Sequence, residues 1–283
     1  MFAALIGRAS LIQLPVLPLI DAGSRWVAGH YADEFAESHG KEMVVREAVG
    51  AALPSAGVAC AIRRDALDDL AGLGGGEPFN PHSLTEDYEL GLRLHALGHR
   101  AMFVRLPVAL GREVVATREH FPATLDAAVR QKARWMAGIA LTGWDRLGWR
   151  GGLAERWMRA RDRRGPLSAV LILAGYLALL LWAGASLIAL AGGPAASGPG
   201  PALQAVLLVN LGLLGWRLAV RAAFVGRAYG WREGLRSVPR VFIANAISVL
   251  AARRAVGVYL DQLRTGRARW DKTRHRFPDA AAA

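Results

Sequence analysis

The feature that most constrains this chain is an apolar run in its second half. Residues 167–191 contain no charged side chain. At ~1.5 Å per residue a helix of that length spans about 37 Å, more than the ~30 Å hydrocarbon core of a bilayer. A second apolar run, 202–214, follows an uncharged turn rich in Gly and Pro, so the pair predicts a transmembrane hairpin. A shorter run, 242–252, is open to two interpretations, a partial third span or an interfacial helix.

The charges around this hairpin predict its orientation. Both outer flanks are rich in Arg, and positively charged flanks stay on the cytoplasmic side. Residues 144–165 hold seven Arg against three acids, interleaved with Trp. This pattern favours a basic interfacial helix on anionic lipid, with a soluble linker helix as the alternative. The predicted organisation is a domain at 1–143, this helix at 144–165, a membrane region at 166–260 and a cytoplasmic tail at 261–283.

The first 143 residues alternate between strand patterns and helix patterns. Runs at 11–17, 54–62 and 100–106 predict buried strands, and the pattern at 121–141 predicts a helix. Strands that alternate with helices are typical of an α/β sheet. The predicted fold class is therefore α/β, followed by an α-helical membrane region.

Composition narrows the possible partners. The net charge of +12 comes almost wholly from Arg, and a basic chain can bind nucleic acid, anionic lipid or phosphorylated substrates. No helix-turn-helix spacing or zinc pattern supports nucleic acid, so we expect none as a partner. Cys60 is the only cysteine, which excludes an intrachain disulfide, and its small-residue surroundings predict a buried apolar filler.

The stretch SLTEDYELGLRLHAL, residues 83–97, predicts the start of a helix. Ser83 and Glu86 have the spacing of a capping box, and Gly98 stands where a left-handed residue ends a helix. Asp87 is then in the first turn, where the helix dipole favours the charged carboxylate and lowers its pKa. A carboxylate held charged there can act as a general base. The alternative is that Glu86 and Asp87 only cap the helix.

Gly57 lies in the small-residue strand predicted at 54–62. A glycine within a strand marks close approach of a ligand or of another backbone segment. Tight packing without a ligand explains it equally well.

A second stretch places three ligand-binding side chains on one helical face. Gln131, Arg134 and Trp135 are spaced i, i+3 and i+4. Arg binds phosphate oxygens bidentately, an indole stacks on a sugar ring, and an amide bridges to hydroxyls. The alternative is ordinary amphipathic surface. The predicted core-facing stripe comprises Leu125, Val129, Met136 and Ile139.

These two stretches, in this order, resemble the TED and Q-x-x-R-W motifs of processive-type family 2 glycosyltransferases, the group that contains cellulose and hyaluronan synthases. A closer resemblance, to the inner-membrane glycosyltransferases of the phage adsorption protein B type, covers nearly the whole chain. The runs that resemble this group are 29–47, 54–67, 83–94, 130–149 and 270–278.

The resemblance implies a GT-A-like domain and an inverting transfer from a nucleotide-diphosphate sugar to a glycan acceptor. Asp87 would be the general base, and Thr85 and Glu86 would set the geometry of its turn. Arg134 would stabilise the departing diphosphate, and Trp135 would form a sugar platform. The implied location is the bacterial inner membrane, with the catalytic part in the cytoplasm and an export or receptor complex as possible partners.

The chain departs from this family in one respect. The family has an acidic D-x-D motif for a divalent metal, Mg²⁺ or Mn²⁺, ahead of the strand that contains Gln13, and no such motif precedes Gln13 here. We therefore expect the acceptor-side half of the domain, with the metal ligands outside this chain. A non-catalytic membrane module for glycan binding or assembly is the second interpretation. A small transporter is a third, which the uncharged spans do not favour.

Overall fold

The computed structural model describes residues 5–73, 75–108, 113–194 and 198–266. Its first part is an α/β domain around three short strands, β1 (Leu11–Gln13), β2 (Cys60–Ile62) and β3 (Ala101–Phe103). The middle strand, β1, pairs antiparallel with β2 and parallel with β3. The predicted fold class, an α/β domain followed by a helical membrane region, is confirmed.

The strands are shorter than the apolar runs that predict them. Beyond β1 the chain keeps only single bridges, Val16 to Thr117 and Leu19 to His120. Residues 54–59 form a loop, because Gly57 (φ 73°) and Ala59 (φ 53°) have left-handed backbones that a strand excludes.

Seven helices of the described chain surround the sheet or follow it. They are α1 (Val27–Glu37), α2 (Met43–Ala48), α3 (Arg64–Leu73), α4 (Glu86–Ala96), α5 (Leu125–Met136), α6 (Gly143–Leu147) and α7 (Leu153–Arg163). A π-helical turn at Ser38–Glu42 joins α1 to α2, and another at Ala137–Thr142 joins α5 to α6. As predicted, Gly98 has a left-handed backbone (φ 86°) and ends α4.

The core lies on both faces of β1, because successive strand residues point in opposite directions. Leu11 packs against α3 and α4, and Ile12 packs on the opposite face. The first cluster contains Ala66, Leu70, Leu90 and Leu94, and the second contains Ala9, Leu14 and Val104.

The basic segment 144–165 folds as α6, a turn and α7. Two contacts hold α7 against the domain: Arg46 donates to both carboxylate oxygens of Asp162, at 2.9 and 2.7 Å, and the Ala52 backbone N–H donates to Glu155 at 2.8 Å. Within α7, Arg159 donates to Glu155 at 2.6 Å. Several of the basic residues are therefore interior to the protein. Contact of the exposed Trp157 with lipid stays a prediction.

Three helices of the described chain are long and apolar enough to cross a membrane: α8 (Gly165–Leu190), α9 (Pro201–Tyr229) and α10 (Trp231–Thr265). The central apolar windows of α8 and α9 bury nothing inside the protein. A lipid environment is the one in which such surfaces are favourable. The hairpin predicted at 167–214 thus corresponds to α8 and the first half of α9.

The helix α10 differs from the other two because the domain covers one of its sides. Ile247 packs with Tyr31 of α1, and Ala251 and Ala255 pack with Ala133 of α5. The apolar run at 242–252 is thus the middle of a 35-residue helix docked on the domain, much longer than its sequence indicates. The tail from 267 onward, with the run 270–278, lies outside the described residues.

Candidate active site

The turn before α4 is built differently from the predicted capping box. The N-cap of α4 is Thr85, which makes no side-chain cap hydrogen bond. The Ser83 hydroxyl instead donates to the carboxylate of Glu89 at 2.6 Å and accepts from the Thr85 backbone N–H at 3.2 Å. The capping box of Ser83 and Glu86 is therefore wrong, because Ser83 is used to satisfy a buried carboxylate.

That buried carboxylate is part of a charged cluster behind the turn. Glu89 is 3% exposed, and Arg146 of α6 donates to both of its oxygens. Arg146 also donates to the Ser83 hydroxyl at 3.3 Å. The cluster fixes the turn from behind, since each member holds the next through a hydrogen bond. Sequence reasoning missed it, because Glu89 and Arg146 are 57 positions apart.

Asp87 is half-buried and faces the loop that contains Gly57. One carboxylate oxygen accepts the Tyr88 backbone N–H at 2.8 Å. The other lies so close to Gly57 that a Cβ there would be 2.7 Å from it. The close neighbour of Gly57 is thus the Asp87 side chain, and approach of a ligand at Gly57 stays a prediction.

Burial is the largest influence on the pKa of the Asp87 carboxyl. Loss of hydration raises the pKa of the Asp87 carboxyl, and the negative charge of Glu86 raises it further. The Tyr88 backbone N–H and the positive charge of Arg134 oppose this shift only in part. The predicted lowering of this pKa by the helix dipole is therefore wrong, because burial outweighs the dipole. A carboxylate with a raised pKa is a stronger base.

Arg134 connects the two predicted stretches. Its guanidinium donates to the backbone carbonyl of Leu84 at 3.0 Å, two residues before Glu86. It also lies within electrostatic reach of Asp87. The structure thus brings the acid and the guanidinium, 47 positions apart in sequence, to one turn.

Two buried polar atoms, one in this turn and one on α5, have no hydrogen-bond partner among the described residues. They are the Thr85 hydroxyl and the amide oxygen of Gln131, on side chains whose residues are 3% and 5% exposed. Gly138 packs directly on Thr85, since a Cβ there would lie 2.5 Å from the hydroxyl. Because buried polar groups normally have partners, these two atoms are exceptions in the described part of the chain.

Trp135 belongs to an aromatic cluster. Its ring centroid lies 6.0 Å from that of Tyr31, nearly perpendicular to it, and 6.2 Å from that of Phe35. The Lys132 ammonium lies 5.3 Å from the Trp135 ring centroid. The indole is half-buried and supported from several sides. Its role as a sugar platform stays a prediction.

The predicted core-facing stripe of α5 is only partly right. Leu125 is 47% exposed, whereas Val129 and Met136 pack at the edges of buried clusters. The buried positions are mainly small residues, because α10 approaches α5 closely. They are Ala127, Ala128 and Ala133, followed by Ala137 in the π-helical turn.

The described residues do not provide a metal site. No group of three or more His, Cys, Asp or Glu side chains in that part of the chain is placed to hold an ion. Glu86 and Asp87 are adjacent, but no third ligand accompanies them. Divalent-metal chemistry therefore has no assigned residues here.

In the described chain the fold is an α/β domain followed by three helices that are long and apolar enough to cross a membrane. The family model for glycosyl transferase family group 2 matches residues 1–219. The chain therefore belongs to this family.

Two curated relatives show what the chain is similar to. It is 37% identical over 304 residues to bacteriophage adsorption protein B of Escherichia coli strain K12. The same identity and length hold for bacteriophage N4 adsorption protein B of Escherichia coli O157:H7. In both cases the match covers 98% of this chain and 40% of the relative, so the chain spans two fifths of the length of these relatives.

Proposed function

We propose that this chain forms the acceptor side of a site that transfers a sugar from a nucleotide-diphosphate sugar to a glycan, with inversion at the anomeric carbon. Asp87 is the general base, and Thr85 and Glu86 shape its turn. Arg134 and Gln131 bind the donor, and Trp135 supports a sugar ring.

In this reaction Asp87 removes the proton from an acceptor hydroxyl. The hydroxyl oxygen forms a bond to the anomeric carbon while the bond from that carbon to the diphosphate oxygen breaks. The electron pair of the broken bond leaves with the nucleoside diphosphate, where Arg134 stabilises the added negative charge. The proton stays on Asp87 until water accepts it.

The observation that supports this proposal is the convergence of Asp87 and Arg134 on one turn. The second support is chemical: the Thr85 hydroxyl in this turn and the Gln131 amide oxygen on α5 are buried without a partner among the described residues. Leaving two such groups unpaired costs about 1–3 kcal/mol each. A hydroxyl-rich sugar would recover that free energy.

We propose that this site faces the cytoplasm at the bacterial inner membrane. The support is the Arg-rich sequence on both outer flanks of the apolar helices α8 and α9. The names of the relatives refer to phage adsorption, so an export or receptor complex at the cell envelope is the proposed setting.

A membrane module that binds glycan without transferring it is the second candidate. The observation that favours it is the lack of a metal-ligand cluster in the described part of the chain. Titration with UDP-glucose and UDP-N-acetylglucosamine, with and without Mn²⁺, separates the two. A transferase shows metal-dependent nucleotide affinity, and the binding module shows none.

The direct test is Asp87→Asn in the complete enzyme. Loss of a positioned base is expected to lower sugar transfer by roughly 10²–10⁴-fold, with membrane insertion intact. Asp126→Asn is the matched control, because Asp126 is also an acid in a first helical turn but is exposed. Near-normal transfer by Asp87→Asn would refute the proposed role.

A further inference from the structure

A cavity lies beside the carboxyl ends of β1 and β3, and Asp87 does not line it. Its volume is about 340 Å³, within the range of small-molecule sites. Pro15 and Leu17 follow β1, Arg105 follows β3, and the last turn of α9 closes the far side. In open α/β sheets, ligands bind outside the carboxyl ends of parallel strands.

Three arginines from separate parts of the fold line this cavity: Arg105, Arg118 and Arg227. None of them forms an ion pair or a side-chain hydrogen bond with the described residues, whereas Arg221, on the same helix as Arg227, pairs with Glu37 at 3.4 Å. Glu113 is the only carboxylate among the described residues of the lining. The cavity thus has a net positive charge that the described protein does not neutralise.

The remaining described wall is mainly apolar and contains one histidine, His39. Phe224 packs on Gly40, where a Cβ would lie 2.7 Å from the ring. The Tyr229 hydroxyl donates to the carbonyl of Pro18 at 2.9 Å, which ties the end of α9 to the segment after β1. This combination suits a ligand with an apolar skeleton and anionic groups, since guanidinium groups bind phosphate oxygens bidentately.

The position of the cavity along α9 indicates whether a soluble ligand or a lipid can reach it. Arg217 is the first charged residue after the apolar run of α9, and Arg227 lies ten positions further on. At ~1.5 Å per residue this is about 15 Å of helix. The headgroup layer is only roughly 5–8 Å thick on each side of the hydrocarbon core, so the cavity opens to water.

We propose that this cavity is a binding site for a water-soluble organic phosphate. Arg105, Arg118 and Arg227 hold its phosphate oxygens, and the wall around Phe224 covers its carbon skeleton. This cavity is separate from the turn that contains Asp87, which we call the transfer turn. The proposal for the cavity does not depend on the proposed sugar transfer.

The test is calorimetric titration of inorganic pyrophosphate into the full chain in nanodiscs of zwitterionic lipid. We expect Arg105→Ala/Arg118→Ala to weaken binding at least tenfold, and Arg118→Gln alone to weaken it severalfold. Both side chains are exposed, so thermal unfolding is expected to be unchanged. Arg25→Ala, also at an exposed arginine, is the matched control, and Arg134→Gln shows whether pyrophosphate binds at the transfer turn instead.

Two results would overturn the proposal. The first is pyrophosphate binding at another place. It would appear as wild-type affinity in Arg105→Ala/Arg118→Ala, or as binding that only Arg134→Gln abolishes. The second comes from nanodiscs that contain phosphatidylglycerol: loss of pyrophosphate binding there would show that a lipid headgroup occupies the arginines. We expect the same affinity in both kinds of nanodisc.

Discussion

Replacing Gly57 by Ala tests whether the position of the Asp87 carboxylate matters for activity. The new Cβ would lie 2.7 Å from an Asp87 carboxylate oxygen, where an ordinary contact begins at 3.4 Å. The carboxylate must therefore retreat by about 0.7 Å, the difference between these two distances. Because a misplacement near 1 Å can cost roughly 10²-fold in rate, we expect sugar transfer to fall by about 10–100-fold.

The same substitution also strains the backbone, and a control isolates that effect. Gly57 has φ 73°, a conformation that costs a residue with a Cβ about 1–2 kcal/mol. Gly50 has φ 69° and no atom within 4 Å of its added Cβ. Gly50→Ala therefore has the same strain without the contact to Asp87.

The assay compares both variants in membranes that contain the complete enzyme, by nucleoside diphosphate release from UDP-sugars. Thermal unfolding of the purified proteins is measured in parallel. We expect similar losses of stability and a loss of activity for Gly57→Ala only. Equal activities of the two variants would refute the reasoning.

Two further predictions concern the cluster behind the turn and the pH dependence. Arg146→Gln leaves the buried Glu89 carboxylate without its cation, so we expect a loss of about 1–3 kcal/mol in unfolding free energy and reduced transfer. Adding Glu89→Gln should restore stability in chemical denaturation but leave transfer low. Burial raises the pKa of Asp87 above its ordinary 3.8, so kcat/KM should fall as pH falls through that raised pKa. Because the folded-state pKa exceeds the unfolded one, this group's contribution to stability falls as pH rises between the two, and an acid limb at or below pH 3.8 would contradict the burial argument.

The sequence alone was sufficient to predict the elements that depend only on neighbouring residues. The uncharged run at 167–191 predicts α8, because length and composition alone make a spanning helix. Gly98 predicts the end of α4, because a left-handed residue is needed there.

Tertiary contacts decided the features that the sequence analysis missed. Ser83 has the spacing of a capping residue, yet its hydroxyl donates to Glu89 and accepts from Arg146, which lies on a helix distant in sequence. The pKa of Asp87 follows its burial, which no local pattern shows. The helix α10 begins well before the apolar run 242–252, because Gly234 packs closely on Gly226 of α9 and Arg240 pairs with Asp33 of α1 at 3.0 Å.

The central claim is that Asp87 and Arg134 act on one bound donor and acceptor. A double-mutant cycle with Asp87→Asn and Arg134→Gln, measured as kcat/KM for sugar transfer, tests it most directly. Residues that act as a unit have strongly non-additive effects, so we predict that the double variant loses far less than the product of the two single losses. Losses that multiply would show independent sites and would contradict the account.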